Sequence, residues 1–280
     1  MRAGPEGFVL AELLVAMIIA AIIGVSLTQL VISQSRFVAL QSGIMQARGG
    51  ARAALNVMTT DLRMVSDSGL VAAAPESVTV RVPYAFGVAC HQSHGRTVVS
   101  VLPADSAAYF AATASGYAWR DSTGKFEFVE PATVTPTFWF QCRFPWTDPS
   151  ITTIGTPGWT QHVVTVRPND TGTPPGAVVY FYQLVRYAFA PSGQVPGRTA
   201  LWRTLLTTGQ RDELVAPFDS TTGFRFLDST YTASATPPAD LDAVRGLRLV
   251  LLAASERPPE GRTQPMQFSL TTDVVFRNHE

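Results

Sequence analysis

The fold of this chain is decided by its first apolar run, FVLAELLVAMIIAAIIGVSLTQLVI, at residues 8–32. A helix rises about 1.5 Å per residue, and about 20 apolar residues cross a hydrocarbon core of roughly 30 Å. The run is long enough, so the sequence predicts a transmembrane helix. One acid, Glu12, lies near its start, and a carboxylate in such a helix costs about 2.5–3.5 kcal/mol on insertion scales. We therefore expect Glu12 to have a partner and a role.

A short polar leader precedes the apolar run. It holds one base, Arg2, one acid, Glu6, and a helix-breaking Pro5, and it ends at Gly7. A secretory signal has its small-residue cleavage site after the apolar core, whereas here the small residue comes before that core. Cleavage between Gly7 and Phe8 removes only the leader and leaves the apolar helix on the mature chain.

Gly7, Phe8 and Glu12 together resemble the type III signal of type IV pilins and pseudopilins, with glycine before the cut, phenylalanine after it and glutamate at the fifth mature position. The resemblance implies that a prepilin peptidase cleaves after Gly7 and N-methylates Phe8. It also implies that Glu12 pairs with the N-terminal amine of a neighbouring subunit. Glu6 departs from the pattern, because family leaders usually have Lys or Arg there. The alternative is a plain signal anchor that tolerates the acid.

The helix is predicted to continue beyond the membrane, to about Ser66. No proline occurs between Pro5 and Pro75, and apolar residues recur at spacings of three and four. These residues are Phe37, Leu40, Ile44, Ala47, Ala51, Leu55, Met58, Leu62 and Val65. The stripe packs either on partner helices or on the chain's own domain, and local packing is favoured for residues 55–65. Three glycines in this half predict a kink or loosened turn near Gly49.

After the helix the apolar pattern changes to a period of two, which is typical of strands. Predicted strands cover residues 77–82, 97–102, 137–144, 162–167, 178–189, 200–205, 223–227, 246–252 and 266–276. Turn-rich loops are predicted at 147–159, 168–176 and 229–239. The sequence therefore predicts an α+β fold, in which a long N-terminal helix packs on one mainly antiparallel, pilin-like β domain.

The predicted organisation has four segments. They are a cleaved leader at 1–7, the transmembrane part of the helix at 8–32, its amphipathic second half at 33–66 and a globular β-rich domain at 67–280. Large domains cross a membrane largely regardless of charge, so the leader decides the orientation. We expect a single-pass protein of the bacterial inner membrane, with its C-terminal domain outside the cytoplasm, that then enters a pilus or pseudopilus.

The C-terminal third, together with shorter segments upstream, is similar to one branch of the same superfamily, the J-type minor pseudopilins of type II secretion and the PilW-like minor pilins. The similar segments are residues 61–64, 182–187, 200–203, 214–218, 224–228, 241–249 and 274–278. The resemblance implies a minor subunit at or near the filament tip that primes assembly. Its partners are then the prepilin peptidase, other minor and major pilins or pseudopilins, the inner-membrane assembly platform and membrane lipid.

A second function stays open, in which the subunit is a binding module at the filament tip. Its ligand is then a secreted substrate, DNA or a surface. Aromatic residues are favoured contact residues at interfaces, and the candidates are Tyr109, Trp119, Trp146 and Trp159. Most of these are expected in the core instead. With 21 basic and 21 acidic residues the chain has no overall basic field, so we expect no direct nucleic-acid binding.

The two cysteines, Cys90 and Cys142, fall in a domain expected outside the cytoplasm, where disulfides persist. Their even number favours a bridge over two free buried thiols. A bridge that closes about 50 residues stabilises a protein by roughly 4 kcal/mol in the chain-entropy model. The spacing alone does not decide between the two alternatives, because the sulfur atoms must also meet.

Metal sites and catalysis find no support in the sequence. His91 and His94 follow Cys90, but structural zinc needs four ligands. Four acids of the C-terminal region lack the alternating pattern of a calcium loop and are predicted to form turns or caps. They are Asp219, Asp228, Asp240 and Asp242. Because no Walker loop, nucleophile elbow, dinucleotide fingerprint or zinc-protease helix occurs, no catalytic residue, metal or cofactor is predicted.

Overall fold

A computed structural model describes residues 10–66, 68–93, 95–137, 142, 163–168, 172–260 and 262–276. The helices are α1 (Leu10–Leu62) and α2 (Ser106–Ala111), and short 3₁₀ turns cover Pro103–Asp105 and Leu241–Ala243. The strands are β1 (Leu70–Ala74), β2 (Ser77–Ser93), β3 (Arg96–Val101), β4 (Gly116–Arg120), β5 (Phe126–Val129), β6 (Thr133–Thr137), β7 (Val163–Arg167), β8 (Val178–Pro191), β9 (Thr199–Leu205), β10 (Arg211–Phe218), β11 (Gly223–Leu227), β12 (Ala233–Ser234), β13 (Gly246–Ala254) and β14 (Gln267–Val275). The predicted fold class is confirmed, because a long N-terminal helix packs against an antiparallel β domain.

Helix α1 is one continuous element of 53 residues, about 80 Å long at 1.5 Å per residue. A kink or loosened turn was predicted near Gly49, and the helix continues through this position without interruption. The buried glycine is Gly43, where a Cβ would lie 3.2 Å from Cγ of Met266. Gly43 therefore allows the helix backbone to approach the domain closely. The helix ends at Leu62, four positions before the predicted end at Ser66.

The second part of α1 buries one face against the sheet. Its fully buried residues are Ala47, Ala51, Ala54, Met58 and Leu62, and Val65 just after the helix continues the stripe. The local packing predicted for residues 55–65 is confirmed, because these side chains join a core formed with β2, β8 and β13. Phe37, the first residue of the predicted stripe, is 60% exposed, so the packing on the domain does not include the start of the stripe.

The fourteen strands of the described residues form one antiparallel sheet. Its main order is β12-β11-β13-β10-β9-β8-β2-β3-β7-β6, with β14 added to β13 and β1 to β2. The long strands β2 and β8 pair from Ser77–Ala188 to Val88–Val178. Strands β4 and β9 share the opposite edge of β8.

Two cores lie along these long strands. The first core contains the α1 stripe and the β8 residues Val185, Tyr187 and Phe189. The second core contains Val179 and Phe181 of β8 together with residues of β3, β4, β7 and α2. Alternate residues of a strand share one face, so both cores lie on the same side of β8.

A register shift in β2 keeps both cores on that side. Val82 contributes to the first core and Ala85 to the second, although their spacing is odd. The shift occurs between Pro83 and Ala85, where the pairing with β8 is irregular. An extra residue at such a bulge moves the following side chains to the other face. The bulge interrupts the period-two pattern just after residue 82, where the predicted strand ended, although β2 continues to Ser93.

The predicted strands at 97–102, 162–167, 178–189, 200–205, 223–227, 246–252 and 266–276 correspond to β3, β7, β8, β9, β11, β13 and β14. Most of the strand predicted at 137–144 and all of the loop at 147–159 lie outside the described residues. The elements that the sequence did not predict are α2, β1, β4, β5, β6, β10 and β12.

Candidate functional site

The exposed N-terminal part of α1 is the first candidate site. It lies near the N-terminus and is long and apolar enough to span a membrane. Apolar side chains are exposed all round it, including Leu13, Met17, Ile22, Leu27 and Val31. Ser26 and Thr28 are compatible with lipid, because their hydroxyl groups donate to the carbonyl oxygens of Ile22 and Gly24, at 2.9 and 2.8 Å.

Glu12 lies in the first turn of the described helix, and its side chain is exposed on this apolar surface. The N-terminal end of a helix is electrostatically favourable for a carboxylate. Gly7 and Phe8, the predicted cleavage and methylation positions, lie outside the described residues. Cleavage, methylation and the pairing of Glu12 with a neighbouring amine therefore remain predictions.

The other end of α1 is fixed to the sheet by a polar cluster. Oδ2 of Asp61 accepts a hydrogen bond of 2.5 Å from the hydroxyl of Tyr187 in β8. The guanidinium of Arg203 in β9 lies 3.5 Å from the same oxygen. Burial, reinforced by the Asp61 carboxylate, raises the pKa of Tyr187, so this hydroxyl remains a donor. All three residues belong to segments on which the minor-subunit resemblance depends.

A disulfide joins Cys90 in β2 to Cys142, with the two Cα atoms 5.2 Å apart. This distance is usual for a bridged pair. Both cysteines are buried, and they contact the apolar residues Val98 and Val163. The bridge ties the segment at Cys142 to the β3–β7 end of the sheet.

No metal site is formed by the described residues, in which no group of three or more His, Cys, Asp or Glu side chains converges. His91 lies in β2, and His94 is outside the described part of the chain. The turn and capping roles are confirmed for three of the acids. Asp219 and Asp228 accept hydrogen bonds from the backbone N–H two residues ahead, and Asp240 accepts from Asp242 at the start of a 3₁₀ turn.

The aromatic candidates for tip contacts are buried where the structure describes them. Tyr109 and Trp119 are 8% and 7% exposed, and both belong to the second core. Burial raises the pKa of Tyr109 to about 12. Trp146 and Trp159 lie outside the described residues. Tyr109 and Trp119 therefore stabilise the domain and are not available as surface contacts.

The structure also contains an aromatic pocket that sequence reasoning missed. It has a volume of about 310 Å³ and lies between the end of α1, strand β2, the β4–β5 hairpin and β8. Its lining residues are Arg63, Met64, Ser66, Arg81, Pro83, Phe86, Ala118, Phe126, Phe128, Tyr180 and Tyr182. We call this feature the aromatic pocket. The available signal was the spacing of two between Phe126 and Phe128 and between Tyr180 and Tyr182, which puts each pair on one strand face.

One ion pair is built into the wall of the aromatic pocket. The guanidinium of Arg81 makes two hydrogen bonds to the carboxylate of Glu130, of 3.1 and 2.9 Å. The hydroxyl of Tyr182 donates to the same carboxylate at 2.9 Å. Burial by itself raises the pKa of Glu130, but the hydrogen bonds and charge of Arg81 and the bond from Tyr182 outweigh it and lower that pKa. Glu130 is therefore held as a carboxylate.

Comparisons of the chain with protein-family models, curated proteins and solved structures found no match.

Proposed function

We propose that this protein is a minor subunit of a type IV pilus or a type II secretion pseudopilus. In this proposal residues 8–32 anchor the chain in the bacterial inner membrane, and the β domain lies outside the cytoplasm. The subunit then enters the filament at or near its tip and primes assembly. The type III signal at Gly7, Phe8 and Glu12 and the minor-subunit segments support the assignment.

The observation that carries the proposal is the division of α1 into two parts. Its N-terminal part exposes apolar side chains in all directions, whereas its C-terminal part buries one stripe in the domain. A helix that is apolar all round needs lipid or other apolar helices around it. A continuous helix with a rigidly packed end can pass from membrane to filament without changing its attachment to the domain.

Glu12 supplies a driving force for assembly in this proposal. A carboxylate surrounded by lipid is unfavourable by about 2.5–3.5 kcal/mol on insertion scales. Pairing with the N-terminal amine of a neighbouring subunit offsets part of this cost. Because Phe8 comes four residues before Glu12 in the sequence, the pairing is also expected to favour one register between adjacent helices. The expected partners are the prepilin peptidase, other pilins or pseudopilins, the assembly platform and lipid.

The first test of the proposal is the intact mass and N-terminal sequence of the full chain from a bacterium with an active prepilin peptidase and a type IV filament system. The expected product begins at N-methylated Phe8. A chain that still begins at Met1 in that host contradicts the proposal and favours a plain signal anchor.

The second test is incorporation into filaments that are sheared from the same cells. The Glu12→Ala variant is expected in the membrane fraction and not in the filaments. Gln41→Ala is the matched control, because Gln41 is another exposed polar residue of α1. Normal incorporation of Glu12→Ala, with cleavage intact, contradicts the role of the carboxylate.

A further inference from the structure

The aromatic pocket has the size and the walls of a site for one aromatic ring. Its volume of about 310 Å³ is at the lower end of ligand pockets, which range from about 300 to 1,000 Å³. The rings of Phe86 and Phe126 each meet the ring of Tyr180 edge to face, with centroids 5.1 and 5.3 Å apart. A ring that enters this cluster extends the same pattern of aromatic contacts.

The two charges of the ion pair in the wall neutralise each other, so neither charge is available to a ligand. Arg81 bonds both carboxylate oxygens of Glu130, and its third contact is the carbonyl oxygen of Ser68 at 2.7 Å. Its guanidinium also lies 4.3 Å from the ring centroid of Phe128. Arg81 therefore already occupies the position over an aromatic ring that a cationic ligand would take.

Arg63 supplies a different charge to the pocket. It follows the last residue of α1, its side chain is exposed, and it lines the aromatic pocket. Within the described part of the chain its guanidinium makes no hydrogen bond or ion pair. A free guanidinium binds a carboxylate with two parallel hydrogen bonds. A second guanidinium, that of Arg120, lies 4.6 Å from the ring centroid of Phe126, so the charge beside the aromatic walls favours anions and disfavours cations.

We infer that the aromatic pocket binds a small aromatic carboxylate, with the ring among Phe86, Phe126 and Tyr180 and the carboxylate on Arg63. The inference stands on the geometry of the pocket and is independent of the proposed function. Because the walls belong to β2, β5 and β8, they are set before a ligand arrives. Arg63 gives the site its preference for an anion.

The test uses the full chain in lipid nanodiscs and a pair of probes that differ in one charge. The probes are N-acetyl-L-phenylalanine and its amide, N-acetyl-L-phenylalaninamide, and binding is measured by saturation-transfer NMR with empty nanodiscs as the blank. A ligand of this size is expected to bind with a Kd on the order of 1 mM or lower. The acid is expected to bind wild-type protein about tenfold more tightly than the amide, because only the acid forms a charge-assisted pair.

Matched variants separate the two parts of the site. Arg63→Gln is expected to weaken the acid about tenfold and to leave the amide unchanged. Arg52→Gln is the control, since Arg52 is an exposed arginine of α1 that does not line the pocket. Phe86→Leu is expected to weaken both probes, because it removes a ring from the wall. Thermal unfolding of each variant checks that the domain is intact.

Three results overturn the inference. They are no saturation transfer to either probe above the blank, equal affinity of wild-type protein for acid and amide, and equal weakening by Arg63→Gln and Arg52→Gln.

Discussion

The hydroxyl of Tyr187 lies 2.5 Å from Oδ2 of Asp61, which joins the last turn of α1 to the centre of β8. Tyr187 is fully buried, and Arg203 approaches the same carboxylate oxygen from β9. The contact fixes the end of the helix against two strands. Because α1 is continuous, its exposed apolar part then has a defined direction relative to the domain.

Replacement of Tyr187 by Phe is expected to lower the free energy of unfolding by about 1.5–3 kcal/mol, the usual value of a hydrogen bond to a charged group. Denaturant unfolding of the full chain in nanodiscs, followed by tryptophan fluorescence, measures the change. Tyr231→Phe is the control because Tyr231 is 56% exposed. Equal stability of the two variants would show that the contact with Asp61 contributes nothing.

A second prediction concerns the buried stripe of α1. Met58→Ala is expected to lower the unfolding free energy by about 2–5 kcal/mol, because a fully buried side chain leaves a cavity. Met45→Ala is the matched control on the same helix, since Met45 is 63% exposed. We expect its effect to stay within about 0.5 kcal/mol. A small loss at Met58 would mean that the helix detaches from the domain at little cost.

The sequence predicted the fold class and the local elements with strong periodicity. The spacing of Ala47, Ala51, Met58 and Leu62 is visible in any window of the helix, because a helix brings residues three and four apart onto one face. The order of the strands in the sheet could not be predicted from the sequence. It depends on pairings such as that of β2 with β8, whose partners are about 100 residues apart in the chain, and no local pattern encodes them.

The ion pair of Arg81 and Glu130 predicts a pH dependence of stability. The pKa of Glu130 is held below its ordinary value of 4.5 in the folded protein. A lowered folded-state pKa gives stability above the unfolded-state value that is lost as pH falls through the folded-state value. We therefore expect stability to decrease as pH falls below about 4.5. Urea unfolding as a function of pH measures the effect.

Glu130→Gln is expected to be less stable than wild type at pH 7 and to lose less stability on acidification. Glu260→Gln is the control, because Glu260 is an exposed acid in the loop before β14. Its pH profile should follow that of wild type. A Glu130→Gln profile parallel to wild type would assign the acid sensitivity to other carboxylates.

The disulfide predicts a difference in mass and in stability. The chain from the native host is expected to be about 2 Da lighter before reduction, since a disulfide lacks two hydrogen atoms. The bridge spans 52 residues, and reduction is expected to lower the unfolding free energy by about 4 kcal/mol in the chain-entropy model. The double variant Cys90→Ala, Cys142→Ala should not respond to reductant. An unchanged mass on reduction would show two free thiols.

The aromatic pocket shows why a site was missed in the sequence. Phe126 and Tyr180 are neighbours only because β4 pairs with both β5 and β8. Arg63 lines the same pocket because the chain after α1 runs beside Arg81, whose backbone N–H donates to the carbonyl oxygen of Gly69. Three distant segments thus meet at one place. The types of residue in these segments, taken alone, are those of an ordinary hydrophobic core.

The two glycines at positions 43 and 49 give the last prediction. A Cβ at Gly43 would lie 3.2 Å from Cγ of Met266, whereas a Cβ at Gly49 has no atom within 4 Å. Leucine is a better helix former than glycine, so Gly49→Leu is expected to raise the unfolding free energy by about 0.5–1 kcal/mol. Gly43→Leu is expected to lower it by about 1–3 kcal/mol, because the added side chain must displace Met266 or move the helix. Denaturant unfolding of both variants under the same conditions measures the difference. If both variants are stabilised alike, α1 does not pack closely on the β domain at Gly43, and its exposed part has no fixed direction.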